Sequence, residues 1–277
     1  MTLRSTTSRV LRGGAAALTA AALSLAGVSA VHADAGPDVS SWQGGNINWN
    51  AVRDAGNQFA IIKATEGLDY VNPFFVQSSI GVKAAGMFRG TYHYADVRQP
   101  AAAQATKYAL LTLGNGLPGD LPPVIDFEES KGLGRQDLIN WLHEFLNTAQ
   151  AITGKQPMIY TYPNFWRTAM GNTTEFNMYP LWIADYNGGQ GPSLPLPGGW
   201  GSWAFWQYTA SANIPGIGGG VDRNFYGGVA GPLVNMTNGF PNIPGLALAA
   251  AGSPTGSADA QAGLQTWGGA VPAGSVG

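Results

Sequence analysis

Cysteine is absent from this 277-residue chain, histidine occurs three times, and only 11% of the residues are charged. Without cysteine there is no disulfide, no thiolate zinc site and no cysteine nucleophile. The histidines, His32, His93 and His143, show no paired ligand spacing, so neither a metal nor another cofactor is expected. Soluble domains are usually about one-quarter charged. In a chain this poor in charge, each carboxylate becomes informative. The 9 Trp, 10 Tyr and 11 Phe, within a 45% hydrophobic composition, suffice for a full core and exclude general disorder.

The ends differ from the middle. Arg4, Arg9 and Arg12 precede an alanine-rich apolar stretch, Gly13 to Val31, and small residues then offer cleavage after Ala33 or Ala35. Residues 1–35 therefore read as a secretory signal peptide. The stretch is short and weakly apolar for a membrane span, so no membrane contact is expected after cleavage. Removing it leaves 11 basic against 15 acidic residues. Nothing basic remains to follow a phosphate backbone, which disfavours nucleic acid as a partner. A protein that works outside the cytoplasm is expected. At the other end, residues 235–277 are rich in Ala, Gly, Pro and Ser and read as a flexible tail.

Between these segments, short apolar runs alternate with amphipathic ones. Residues 37–42, 59–67, 87–95, 122–129, 157–163, 180–186 and 203–210 are rich in Ile, Val, Tyr, Phe and Trp and read as strands. Residues 49–55, 74–85, 100–113 and 135–152 read as helices; in the last, Leu138, Leu142, Phe145, Leu146 and Ala149 follow helical spacing. Such alternation predicts an α/β barrel. After Pro180 the strand candidates succeed one another without room for good helices, so the barrel should begin with βα units and finish with plain strands.

Familiar catalytic signatures are missing. Gly114 to Gly119 spells GxGxxG, but it follows a helix and precedes a strand, the reverse of a dinucleotide site, and reads as a loop. There is no GxSxG elbow. His93, near the end of a strand, reads as a core histidine before a pocket residue, and His143 as a solvated one.

The carboxylates say more. Asp126 and Glu128 close the apolar run Pro122–Ile125, and residues i and i+2 of a strand share a face, with Cα atoms about 6.6 Å apart. Two acids on one side of an apolar strand are costly unless they are solvated or used. Mutual repulsion raises one pKa, and a protonated acid beside an ionised partner is what glycosidic cleavage requires. Asp38 and Asp185 stand at two other strand ends and would converge on the same barrel mouth. Tyr92, Tyr94, Tyr160, Trp182, Trp206 and Gln207 fall in matching registers and are candidate sugar-binding residues.

These residues lie in motifs that resemble the family-25 glycoside hydrolases, the Chalaropsis-type lysozymes or N-acetylmuramidases. The motifs are GPDVSSWQG (36–44), INW (47–49), IIKATEG (61–67), GTYHYA (90–95), VIDFEE (124–129), IYTYP (159–163), LWIADY (181–186), WAFWQYT (203–209) and VDRNFY (221–226). The resemblance implies a flattened, irregular TIM-like barrel over residues 36–234, with five βα units followed by three further strands. It implies hydrolysis of the β-1,4 bond between N-acetylmuramic acid and N-acetylglucosamine in peptidoglycan glycan strands, by a monomer secreted or associated with the cell wall. Glu128 looks like the general acid, Asp126 like its partner, and Asp38 and Asp185 like the acids completing the mouth. Pro37 and Ser41 depart mildly from the family pattern, and neither removes a carboxylate. The competing readings are a non-catalytic glycan-binding module and a hydrolase of a related amino-sugar polymer such as chitin.

Overall fold

The computed structural model describes residues 34–113, 119–227 and 229–238. The segment up to residue 33, most of the GxGxxG stretch and residues 239–277 lie outside the described residues. The order of elements is β1 (Ala35–Val39), α1 (Trp49–Asp54), β2 (Phe59–Glu66), β3 (Tyr70–Val71), α2 (Phe75–Ala84), β4 (Phe88–Tyr94) and α3 (Ala101–Leu113). There follow β5 (Asp120–Asp126), α4 (Arg135–Thr153), β6 (Met158–Thr161), α5 (Pro163–Thr168), β7 (Leu181–Ala184), β8 (Phe205–Ala212) and β9 (Val221–Tyr226).

Eight strands close a barrel in the order β1-β9-β8-β7-β6-β5-β4-β2, and β1 pairs with β2 to seal it, while β3 is a short antiparallel addition to β2. The first seven barrel strands in sequence run parallel to one another; β9 runs antiparallel to both β8 and β1. Five βα units followed by three strands is the expected architecture. The short helix α5 and strand β3 escaped the sequence reading, because six and two residues carry little periodicity.

Alternation along each strand divides the core in two. Phe59, Ile61, Tyr92, Val124, Met158, Tyr160, Trp182, Phe205 and Tyr226 fill the barrel interior. Ala60, Ile62, Ile125, Ile159 and Ile183 face outward, where helix residues such as Leu138, Leu142 and Phe145 cover them. A 3-10 helix, Leu233–Asn238, buries Leu233 and Met236 against the interior cluster. The ordered unit thus extends past the expected boundary at 234. At the other end, Ala35 already pairs with Phe225, one residue before the expected start.

Strand β5, which carries the acid pair, has two prolines in its interior and so lacks two ladder donors. The Tyr108 hydroxyl from α3 fills the gap: it donates to the Thr91 carbonyl at 2.8 Å and accepts from the Val124 N–H at 3.0 Å. Beside it lies His93, fully buried and stacked on Phe145. The Gln104 amide nitrogen donates to the carbonyls of Asp96 and Gln99, which leaves its oxygen to accept from His93 Nε2 at 2.9 Å. Nδ1 must then accept, and the Thr65 hydroxyl donates to it at 2.7 Å. His93 is a neutral core residue, and burial lowers its pKa to about 4.

A histidine held neutral by folding links stability to pH. Its folded pKa lies below the unfolded value of 6.5, so its contribution is complete above 6.5 and is lost as pH falls towards 4. Wild type should therefore lose its stability advantage over His93→Gln across that window, by at most about 1.4 kcal/mol per pH unit. Urea unfolding of both proteins from pH 7 to 4 measures it; a constant difference would show that the histidine is not buried neutral.

Candidate active site

The carboxyl ends of the parallel strands form one mouth, and alternation decides which side chains enter it. On β5, Val124 and Asp126 point inward. Beyond the strand the chain stays extended, because Phe127 N–H donates to the Tyr160 carbonyl at 2.9 Å. Phe127 points outward and packs on Trp141 and Phe165, so Glu128 turns inward beside Asp126. The shared face expected of this pair is present. Asp126 is buried, and its Oδ1 has no hydrogen-bond partner among the described residues. Burial and then the nearby Glu128 hold its pKa well above the ordinary carboxylate range. Burial also raises Glu128, while a hydrogen bond with the Tyr94 hydroxyl opposes that rise.

Strand β2 supplies a cation that the sequence reading overlooked. A bulge between Lys63 and Thr65 sends Ala64 and Thr65 outward together, so Lys63 and Glu66 both turn to the mouth and pair at 2.6 Å. The Lys63 ammonium lies over the Tyr94 ring, 4.7 Å from its centroid, and 5.6 Å from that of Tyr70. Its charge lowers the pKa of both Asp126 and Glu128 against the effect of burial. The signal was available: Lys63 follows Ile61 at the strand period within IIKATEG.

Opposite the acid pair, Asp38 sits in a network whose amide orientations are fixed from outside. Tyr160 and Tyr186 donate to Gln207 Oε1 at 3.0 and 2.5 Å, which turns Gln207 Nε2 to Asp38 Oδ2 at 2.9 Å. Trp182 Nε1 donates to Asn224 Oδ1 at 2.8 Å, which turns Asn224 Nδ2 to the same oxygen at 2.9 Å. Asp222, directly across the β1–β9 pairing from Asp38, completes the network with a hydrogen bond to it. Burial, and then the charge of Asp38, push Asp222 up to about 8. Burial raises Asp38 too, but three side-chain hydrogen bonds and one from its own backbone pull it back, so the pair shares a proton that rests on Asp222.

Two expected site residues are placed elsewhere. The Asp185 carboxylate accepts from the Ser193 N–H at 2.6 Å and from Asn187 Nδ2 at 3.3 Å, so it braces the loop after β7. Asp222 occupies the fourth acidic position of the mouth. Trp206 lies between the inward residues Phe205 and Gln207 and so points outward, 1% exposed, donating to the Asp185 carbonyl. It belongs to the outer core. Trp182 does face the interior, but as a buried floor under Tyr92 and Tyr160, which meet it edge-on. Tyr92, Tyr94, Tyr160 and Gln207 remain around the acids. Asp222 and Asn224 stand at i, i+2 in VDRNFY, but that run is too polar to read as a strand, so their shared face did not show.

Such a cluster works against folding at neutral pH. Asp222 has a folded pKa near 8 against 3.8 in the reference state, so its stabilising contribution exists at low pH and is lost as pH rises through 8. Asp222→Asn keeps a donor to Asp38 and removes that ionisation. It should be more stable than wild type at pH 8, by about 1–3 kcal/mol, and no more stable at pH 4. Thermal midpoints at the two pH values give the comparison. A variant less stable than wild type at pH 8 would contradict the placement.

Residues 37–217 match the family model for glycosyl hydrolases family 25. Over 216 residues the chain is 36% identical to lysozyme M1 of Streptomyces globisporus, covering 73% of this chain and 71% of that protein. It is 33% identical to the N,O-diacetylmuramidase of Chalaropsis sp, across 74% of this chain and 99% of that one. Among solved structures, the bacterial lysozyme from Streptomyces coelicolor superposes with a TM-score of 0.68 at 32% identity, over 75% of this chain and 98% of its own. The chain, with its eight-stranded barrel and acid-lined mouth, belongs to glycosyl hydrolases family 25.

Proposed function

We propose that this glycoside hydrolase is an exported muramidase that cleaves the β-1,4 bond between N-acetylmuramic acid and N-acetylglucosamine in peptidoglycan. The names of its relatives support the substrate class, since they include a lysozyme and an N,O-diacetylmuramidase. The observation that carries the mechanism is the buried Asp126 oxygen without a partner among the described residues, two residues from Glu128 on the same face.

In the free protein the apolar surroundings keep a proton within the Asp126–Glu128 pair. A muramic acid 2-acetamido group entering the mouth would donate its N–H to Asp126 Oδ1. A donor stabilises the ionised carboxylate, so the proton moves to Glu128. Glu128 then protonates the leaving glycosidic oxygen as the acetamido carbonyl oxygen attacks C1 and the C1–O bond breaks. The product is a cyclic oxazolinium held through its N–H by Asp126, and a shortened glycan. Glu128, now a carboxylate, removes a proton from water as that water attacks C1 and reopens the ring. Two displacements at C1 give net retention. The Lys63 ammonium keeps both acids ionisable, and the neutral Tyr94 hydroxyl orients Glu128.

Export rests on the basic and apolar N-terminal segment. Cleavage after Ala33 fits better than cleavage after Ala35: Asp34 accepts from the Tyr226 N–H at 2.8 Å, and Ala35 is part of the barrel seam.

Glu128→Gln should lower kcat by at least about 10²-fold, since an amide donates no proton to the leaving oxygen. Asp126→Asn should lose less, because its oxygen still accepts the acetamido N–H. Proton NMR of the first product from purified peptidoglycan completes the test. An initial β-anomer is expected, with muramic acid at the new reducing end; an initial α-anomer would rule out participation by the acetamido group.

A further inference from the structure

Trp42 is 87% exposed, the most exposed of the large hydrophobic side chains among the described residues. Its backbone, by contrast, is firmly held. Ser40 caps the short 3-10 helix Ser41–Gln43, accepting from the Trp42 N–H, while the Gln43 side chain reaches back to the Ser40 N–H in a reciprocal capping box. The Tyr70 hydroxyl donates to Ser41 Oγ at 2.8 Å, and Gln77 Nε2 donates to the Gly45 carbonyl at 2.8 Å, tying the turn to β3 and α2. The indole takes part in no hydrogen bond or ring contact within the described residues. A rigid mount presenting a bare aromatic plane is the arrangement of a preformed contact.

Its position says what the contact is for. Trp42 stands four residues beyond Asp38, on the rim of the mouth. The tyrosine that anchors its turn shares the Lys63 ammonium with Tyr94, and Tyr94 bonds to Glu128. A glycan strand leaving the mouth on the β1–β2 side must pass this rim. Sugar rings expose an apolar face of C–H groups, and a neutral, flat, exposed indole matches it where a charged side chain would not. We propose that Trp42 is a stacking platform for one sugar ring of the glycan strand, beyond the two that flank the cleaved bond. The proposal rests on the muramidase reading for its substrate and not for its geometry.

The test compares wild type, Trp42→Ala and Trp42→Phe on long glycan strands stripped of stem peptides, with Ile80→Ala on α2 as an exposed apolar control. Trp42→Ala should raise KM about 3- to 10-fold, Trp42→Phe by less, and Ile80→Ala not at all. The loss should fall on KM rather than kcat and shrink on fragments too short to reach the rim. An unchanged KM would overturn the proposal. So would a loss seen only on peptide-bearing strands, which assigns the indole to the peptide, or a loss of self-association on sedimentation, which assigns it to a second copy. Calorimetric binding of the same strands to Glu128→Gln, with and without Trp42, reads the platform independently of turnover. A wild type that cleaves no peptidoglycan while the Trp42 effect on binding persists would sink the muramidase reading alone.

Discussion

Four carboxyl groups with raised pKa values, Asp38, Asp126, Glu128 and Asp222, are held in the mouth of an apolar barrel, with Lys63 as the ammonium that opposes the rise at Asp126 and Glu128. Each is raised from its ordinary value because burial disfavours charge, and neighbouring acids raise Asp126, Glu128 and Asp222 further. Such a cluster persists only where the scaffold fixes it. Barrel closure through β1 provides that, since β1 pairs with β2 on one side and β9 on the other and brings Asp38 opposite Asp222. The bulge in β2 performs the same service for Lys63.

The two halves of the cluster are arranged differently, and the difference gives each a role. Asp38 has two amide donors whose orientation is dictated by tyrosine and tryptophan partners, plus Asp222. Every acceptor there is matched, as in a structural network that shapes the floor and the field of the site. Asp126 has an unmatched buried oxygen. Native structures rarely leave such an atom unpartnered. Under the proposed mechanism a substrate donor is its complement, and the arrival of that donor sets which acid of the pair holds the proton.

Much of this was legible in the sequence. Strand–helix alternation gave the barrel, and the i, i+2 spacing of Asp126 and Glu128 gave their shared face, because a period of two survives any uncertainty in strand ends. What period two cannot supply is the absolute face. Trp206 and Gln207 are neighbours, so they take opposite sides, and nothing local says that Gln207 is the one inside. Asp185 lies just past a strand, where the loop rather than the pleat sets direction, and the loop uses it as a brace. Lys63 and Glu66, three residues apart, share the mouth only through a bulge that pairing creates. Asp222 was hidden in a polar strand that joins the barrel by pairing with Asp38, 184 residues earlier.

The acid cluster in the barrel mouth is the feature on which pH dependence and the cost to stability depend, and on which the proposed catalysis rests. It can be observed directly by following the side-chain carboxyl carbons of 13C-labelled protein by NMR from pH 3 to 9, with Asp38, Asp126, Glu128 and Asp222 assigned by single substitution. The account predicts titrations raised from the ordinary carboxylate value for all four, Asp222 near 8, and shifts in the remaining three when any one is replaced. Four independent titrations at ordinary carboxylate values would contradict it.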